Sequence, residues 1–157
     1  MALRYFNVFG PRQDPSGPYA AVIPLLFRAA LTESPVTIFG DGQQARDFTY
    51  VDNVVDANLL AATGTASALT GHEVNVGAGS RTSLMDLVAL VEEVGGRRIT
   101  VRHAPERAGD VRDSQASLDR GGAVPGYAPR VTVRAGIERL QSWYLTNPGG
   151  VMATAHS

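Results

Sequence analysis

The chain has 157 residues and a hydrophobic share of 44%, which is enough for one modest core and favours a single domain. Its 14 basic and 15 acidic residues are interspersed and give a net charge of −1, so neither a nucleic-acid footprint nor a membrane-surface patch is expected. There is no cysteine, the three histidines are far apart and no apolar run is long enough to span a membrane, so we expect a cytoplasmic protein without disulfides or a metal centre.

The first predicted element is a strand over Leu3–Phe9, with no hairpin partner directly after it. Such a strand needs neighbours from elsewhere in the chain, as in a parallel sheet. Residues 10–18 are rich in turn residues and predict a loop, and Pro24 suits the first turn of a helix that ends near Ser34. The predicted core face of this helix comprises Ile23, Phe27, Ala30 and Leu31.

The stretch from Val36 to Asp56 combines a short strand (Val36–Phe39), a glycine turn (residues 40–42) and a second strand followed by a helix. We expect Asp52 to cap that helix, with Val55, Leu59 and Ala62 as its apolar stripe. Arg46 lies between ordered elements, where a planar guanidinium suits a phosphate or carboxylate. The alternative is that Arg46 pairs with Asp47 or Asp52 on a solvated face.

Residues 73–77 predict a further strand, followed by Gly77-Ala78-Gly79. A phosphate loop is disfavoured there, because the third glycine of a dinucleotide fingerprint is missing. Ser83 and Asp86 predict a capping box. The helix that follows has an apolar face and ends at Gly95-Gly96. That face comprises Leu84, Leu87, Val88, Val91 and Val94.

Residues 98–103 alternate as a half-exposed strand, and the loop after it carries Arg107 and Asp110. At this point the pattern allows two interpretations of this loop, as a ligand-binding loop or as a solvated charged loop. Residues 114–122 predict a weak helix broken by two glycines, and Thr132 caps a last helix. Its predicted core face comprises Val133, Ile137, Leu140 and Tyr144.

The chain offers no evident nucleophile with its base and no tuned pair of carboxylates, so it looks more like a binding module than a catalyst. Two guanidiniums can clamp a diphosphate, a carboxylate can accept from ribose hydroxyls, and an aromatic face can support a base. The residues with these properties are Asn7, Phe39, Arg46, Arg107 and Asp110. We therefore predict a nucleoside diphosphate as ligand.

Several spaced motifs resemble the C-terminal half of NAD-dependent nucleotide-sugar epimerases and dehydratases, the extended short-chain dehydrogenase/reductases. The motifs are RYFNVFGPRQDP, PYAAVIP, TIFGDGQQARDFTYVDNVVDANLLA, EVNVGAGSRTSL, PERAGDVRDS and YAPRVTVRAGIERLQSWY. The chain is most similar to the UDP-glucose and UDP-N-acetylglucosamine 4-epimerases. The resemblance implies an α/β fold, namely the C-terminal substrate-binding portion of an extended Rossmann-type fold. It implies a last Rossmann strand region in residues 1–10, a nucleotide-sugar domain in residues 11–146 and a flexible tail in residues 147–157.

The resemblance also implies residue roles. Asn7, Arg46 and Arg107 would contact the diphosphate, and Asp110 the ribose. Tyr5 and Phe6 would lie beside the nicotinamide end of NAD. The nucleotide pocket would be lined by Val22, Ile23 and Pro24, and the uracil would be held by Thr37, Ile38 and Phe39.

The family's Gly-x-x-Gly-x-x-Gly loop and Tyr-x-x-x-Lys pair have no counterpart in this sequence. We therefore expect that this chain alone neither binds NAD nor catalyses epimerisation. Expected partners are a UDP-sugar and either a Rossmann half supplied in trans or further copies of the chain. The alternatives are a noncatalytic nucleotide-sugar-binding or regulatory module, an interaction protein that lends its first strand to another sheet, and part of a dehydratase.

Overall fold

The structure, a computed structural model, describes residues 1–14, 21–64, 73–119 and 124–147. The strands are β1 (Ala2–Tyr5), β2 (Asn7–Phe9), β3 (Val36–Phe39), β4 (Ala45–Arg46), β5 (Phe48–Tyr50), β6 (Glu73–Val76), β7 (Thr82–Ser83) and β8 (Val101–Ala104). The helices are α1 (Val22–Thr32), α2 (Val51–Thr63), α3 (Leu84–Gly95) and α4 (Val133–Thr146).

The chain divides into two compact units, each assembled from three segments. The first unit comprises Met1–Phe9, Ala45–Thr82 and Asp113–Val133. The second comprises Gly10–Gln44, Ser83–Arg112 and Arg134–Ser157. The domain boundaries expected at residues 10 and 146 stay a prediction, and residues 148–157 of the expected tail lie outside the described residues.

In the first unit, the opening strand changes partner part-way along its length. β1 pairs in parallel with β6, and β2 pairs in parallel with β5. At the break, the Phe6 N–H donates to the Val76 carbonyl at 3.1 Å, and the Asn7 N–H donates to the Asp47 carbonyl at 3.1 Å. The expectation of parallel neighbours is confirmed. The single predicted strand over Leu3–Phe9 is two strands, because its two halves bond to different partners.

The core of the first unit packs one side of α2 against β6. It comprises Val54, Ala57, Val74, Val76 and Val124. The predicted apolar stripe of α2 is wrong, because Val55 is 50% exposed and Leu59 is 58% exposed. Ala62 is exposed as well.

A buried asparagine shows why α2 faces the core as it does. Asn53 is fully buried, and its amide nitrogen donates to the Val131 carbonyl at 2.8 Å. Its side-chain oxygen accepts from the N–H groups of Arg130 and Val131, both at 3.0 Å. These long-range hydrogen bonds turn the side of α2 that carries Asn53, Val54 and Ala57 inward.

Two further expectations for the first unit are wrong. Helix α2 begins at Val51 with Tyr50 as its N-cap residue, so Asp52 lies in the first turn, where its carboxylate still faces the positive helix end. The described part of the weak helix expected over residues 114–122 contains no helical turn. The Ala116 N–H donates to a buried carboxylate instead, and residues 121 and 122 lie outside the described part.

In the second unit, β3 pairs in parallel with β8 from Val36↔Val101 to Phe39↔Ala104. The strand expected over residues 98–103 is confirmed, with observed bounds of Val101–Ala104. Helix α1 ends at Glu33, which has a left-handed φ of 55°.

The remaining helices of the second unit follow the sequence pattern. The Ser83 hydroxyl oxygen accepts from the Asp86 N–H at 3.0 Å, which confirms the capping box of α3. Gly96 ends α3 with a left-handed φ of 64°. In α4, Ile137, Leu140 and Tyr144 are buried as expected. Among the described residues, no helix is long and apolar enough to cross a membrane, and no cluster of three or more potential metal ligands occurs.

Candidate functional site

The candidate site is built around the turn that follows β3. Gly40 and Gly42 have φ values of +73° and +75°, which confirms the expected glycine turn. Inside the turn, the Asp41 carboxylate accepts from the Gln43 N–H at 2.8 Å. At Gly42, an added Cβ would lie 2.7 Å from Cγ of Met85, so a larger residue would be crowded as well as strained.

This turn is tied both to itself and to β8. The Gln44 side-chain amide donates to the Phe39 carbonyl at 2.7 Å. The Gly40 N–H donates to the Ala104 carbonyl at 2.8 Å, and the Gly40 carbonyl lies 2.8 Å from Nδ1 of His103. The end of β3 is therefore fixed relative to the start of the loop after β8.

A solvent-open hollow of about 350 Å³ lies between this turn and that loop. It is lined by Phe39, Gly40, Gln44, Glu106, Arg107, Asp110, Val111 and Arg112. The Arg107 guanidinium stacks on Phe39, with its central carbon 3.8 Å from the ring centroid. The Asp110 N–H donates to the Arg107 carbonyl at 3.2 Å, and Gly109 between them has a φ of +81°. The structure thus brings together three of the predicted residues, Phe39, Arg107 and Asp110.

Charges of both signs surround the hollow. Arg112 donates to the Asp41 carboxylate at 3.1 Å. The Gln43 N–H and then Arg112 lower the pKa of Asp41 below its usual value of 3.8. Because both side chains of this ion pair are more than half exposed, the pair adds little to stability.

The other predicted residues of the second unit occupy varied positions. Thr37 is exposed on β3, whereas Ile38 is only 2% exposed and packs into the core. Val22, Ile23 and Pro24 form the first turn of α1, and Ile23 and Pro24 are buried there. None of the three lines the hollow.

Four predicted residues lie in the first unit. Tyr5 is 49% exposed, and its hydroxyl donates to Asn58 at 3.0 Å. Phe6 is half-buried and Asn7 is exposed. Arg46 is half-buried on β4 and donates to the Ala45 carbonyl at 2.9 Å. Arg46 and Arg107 therefore belong to different units of the chain.

The sequence does not reveal the role of Asp47, a fully buried carboxylate of the first unit. One oxygen accepts from the Ala78 N–H at 2.7 Å and from the Thr49 hydroxyl at 3.1 Å. The other accepts from the N–H groups of Gly79 at 2.9 Å and Ala116 at 3.0 Å. Four hydrogen bonds thus join three separate segments to one side chain.

The amides of the Gly-x-Gly loop therefore bind an anion that belongs to the protein itself, the Asp47 carboxylate. Backbone N–H groups of a glycine-rich turn commonly bind anions, and the motif alone does not say which anion. Gly77 permits the close approach, since an added Cβ would lie 2.4 Å from the Ala116 Cβ and 2.9 Å from an Asp47 oxygen. A glycine loop after a strand, with an unassigned aspartate elsewhere, is the sequence signal that could have suggested this arrangement.

Comparison with known proteins identifies the family. Residues 1–77 match the NAD dependent epimerase/dehydratase family. A UDP-glucose 4-epimerase from Mycolicibacterium smegmatis is 37% identical over 138 residues, which cover 88% of this chain and 43% of that protein. The chain belongs to this family. The resemblance noted in the sequence is thereby confirmed.

Solved structures agree with this family membership and with the α/β fold. The UDP-glucose 4-epimerase of Thermotoga maritima, determined with UDP-glucose, matches with a TM-score of 0.83 and 36% identity over 93% of this chain and 46% of that chain. The UDP-N-acetylglucosamine 4-epimerase of Methanobrevibacter ruminantium, in complex with UDP-N-acetylmuramic acid, matches with a TM-score of 0.82 and 34% identity, again over 93% and 46%. The chain spans about half the length of the family members it matches.

Proposed function

We propose that this epimerase-family chain is the UDP-sugar-binding part of an NAD-dependent UDP-sugar 4-epimerase-like protein. The observation that carries the proposal is the stacking of Arg107 on Phe39 beside Asp110 in one open hollow. A guanidinium suits a phosphate, a carboxylate suits vicinal hydroxyls and an aromatic ring suits a base.

The proposed roles follow the chemistry of each side chain. Arg107 binds phosphate and Asp110 accepts from the ribose. The base end of the site is formed by Thr37, Ile38 and Phe39. Because the side chain of Ile38 is buried, this residue contributes only main-chain atoms. The remaining predicted contacts to the nucleotide are Val22, Ile23 and Pro24. In the first unit, Asn7 and Arg46 keep their predicted role as phosphate ligands.

NAD is the cofactor named in the family's description, and the described residues do not fit its pyrophosphate. The Gly-x-Gly loop after β6 already donates its amides to Asp47. We therefore propose that this chain alone does not bind NAD and does not catalyse the family reaction. The predicted nicotinamide contacts, Tyr5 and Phe6, would need a cofactor held by other residues.

Calorimetric titration with UDP, UDP-glucose and UDP-N-acetylglucosamine tests the proposal. Arg46→Ala and Arg107→Ala should each weaken UDP binding by about 2 kcal/mol, as expected for a lost charged hydrogen bond. Arg97→Ala is a matched control, because Arg97 is an exposed arginine that does not line the hollow. Native affinity in both test variants would refute the phosphate-binding roles, and absence of binding by all three ligands would refute the proposed function.

A second candidate function is binding to another protein. Val55 and Leu59 lie one turn apart on α2 and are 50% and 58% exposed, so they place adjoining apolar surface on one side of this helix. A Rossmann half supplied in trans is the proposed partner, and further copies of the chain are the alternative. Light scattering of the chain alone tests self-association.

Turnover of UDP-glucose after addition of a family Rossmann half would favour the epimerase role over a noncatalytic binding module. The identity of the product would separate epimerisation from dehydration. If the chain binds the Rossmann half but the mixture shows no turnover, the chain is better described as a regulatory or interaction protein.

A further inference from the structure

We infer that Phe39 is a positioning residue whose ring holds the Arg107 guanidinium in place for the phosphates. The inference rests on the proposed function, since it explains how the same hollow gains its affinity for a diphosphate. It gives the ring of Phe39 a role that acts through the arginine, in addition to any contact with the base.

Arg107 needs such support because of where it lies. It is an exposed residue of the loop after β8, and a free arginine side chain loses about 2 kcal/mol of rotamer entropy when it is fixed. In the described parts of the chain, Arg107 does not take part in an ion pair. The ring of Phe39 lies 3.8 Å from the guanidinium carbon, well inside the range of about 6 Å for a cation–π interaction.

The ring is itself held on a fixed support. Phe39 is the last residue of β3 and is paired in register with Ala104, the last residue of β8. Its carbonyl accepts from the Gln44 side-chain amide at 2.7 Å, and the Gly40 N–H donates to the Ala104 carbonyl at 2.8 Å. The ring and the beginning of the Arg107 loop are therefore joined through main-chain hydrogen bonds within one unit.

Stacking also preserves the chemistry that a phosphate requires. A guanidinium stacked on a ring uses its planar face, whereas its N–H donors lie in the plane and point outward. The arginine can thus remain on Phe39 while it donates to two phosphate oxygens. A conventional ion pair would instead occupy those donors with a carboxylate and would have to break when the ligand binds.

The competing role for Phe39 is a platform for the base alone. The two roles differ in energetic coupling. If the ring also acts through Arg107, removal of the ring costs more affinity while the arginine is present than when it is absent. If the ring acts only on the base, its removal costs the same affinity with or without the arginine, because the two side chains then act independently.

The test is a double-mutant cycle on the full chain, measured by calorimetric titration with UDP. Phe39→Leu should weaken UDP binding about threefold more in the native background than in the Arg107→Ala background, as expected for an exposed cation–π contact. The loss that remains in the Arg107→Ala background measures the contact of the ring with the base. Phe39→Tyr keeps the aromatic face and should retain native affinity.

A spectroscopic measurement on the ligand-free chain separates this inference from the proposed function. Ring currents should shift the side-chain NMR signals of Arg107 upfield in the native chain and in Phe39→Tyr, but not in Phe39→Leu. Absence of that shift in the native chain overturns the inference whether or not UDP binds. UDP binding with an equal loss in both backgrounds also overturns it and leaves the proposed function intact. Failure of the native chain to bind UDP overturns both.

Discussion

Replacement of Asp47 should be among the most damaging single changes to the first unit. In Asp47→Ala, the backbone N–H groups of Ala78, Gly79 and Ala116 lose their acceptor, a side chain that is fully buried. Each buried donor left unsatisfied costs about 1–3 kcal/mol, and because water can enter part of the space, we expect a total of about 3–5 kcal/mol. That is a large fraction of the ~5–15 kcal/mol that stabilises a typical domain.

The isosteric variant Asp47→Asn should cost less, for a geometric reason. An amide group placed toward Gly79 and Ala116 would face two donors. If the NH2 of the new asparagine lies on the other side, it meets one donor that cannot adapt, the Ala78 N–H. The Thr49 hydroxyl on that side can rotate and accept from the NH2. One lost bond predicts about 1–3 kcal/mol, below the cost of the alanine variant.

Urea denaturation followed by circular dichroism measures these losses as changes in the free energy of unfolding. Asp119→Asn is a suitable control, because it makes the same change of charge at an exposed side chain and should stay within about 0.5 kcal/mol of the native chain. Hydrogen exchange of the Ala78 amide should accelerate in both Asp47 variants, whereas that of the Ala116 amide should accelerate much more in Asp47→Ala than in Asp47→Asn. If Asp47→Ala unfolds within about 1 kcal/mol of the native chain, the carboxylate is not the stabilising centre that its four hydrogen bonds indicate.

Three other predictions concern glycine packing, a phenol and an exposed ion pair. Gly77→Ala should destabilise by about 1–3 kcal/mol through overpacking, whereas Gly95→Ala, whose added Cβ would find nothing nearer than 3.8 Å, should be neutral or stabilising in the same urea experiment. Burial, and secondarily nearby carboxylates, raise the pKa of Tyr127 to about 12, so its contribution to stability should be complete below pH 10 and decline as the pH rises toward 12. Burial also raises the pKa of Tyr144 to about 12, so the late step in absorbance at 295 nm should shrink, and not vanish, in Tyr127→Phe. Arg112→Ala should raise the pKa of Asp41 only part of the way to its usual value, because the Gln43 N–H is the larger cause of the lowering; a carboxyl NMR titration that shows no change would contradict the ion pair.

Local chemistry made much of the second unit predictable from the sequence. The glycines at 40 and 42 could be assigned because a tight turn needs positive φ values. The Ser83 capping box could be assigned because both of its partners are three residues apart. Of the candidate site, Phe39, Arg107 and Asp110 were predicted and do line one hollow, because each lies at or just beyond the end of a strand.

The errors arose where distant residues decide the outcome. Helix α2 has apolar residues on both sides, so periodicity could not select its buried face. The hydrogen bonds from Asn53 to residues near 130 select it, and these partners are more than 70 positions away. The helix expected after residue 114 was wrong because the Ala116 N–H bonds to Asp47, a partner that no local pattern reveals.

The loop after β6 has a consequence for the search for ligands by motif. Its amides already donate to the Asp47 carboxylate. A phosphate could not bind to the same amides and would be repelled by the carboxylate. A scan for glycine-rich nucleotide loops would select this segment and miss the hollow beside Arg107. In this chain the loop connects separate segments through Asp47, and Gly77 allows them to approach closely.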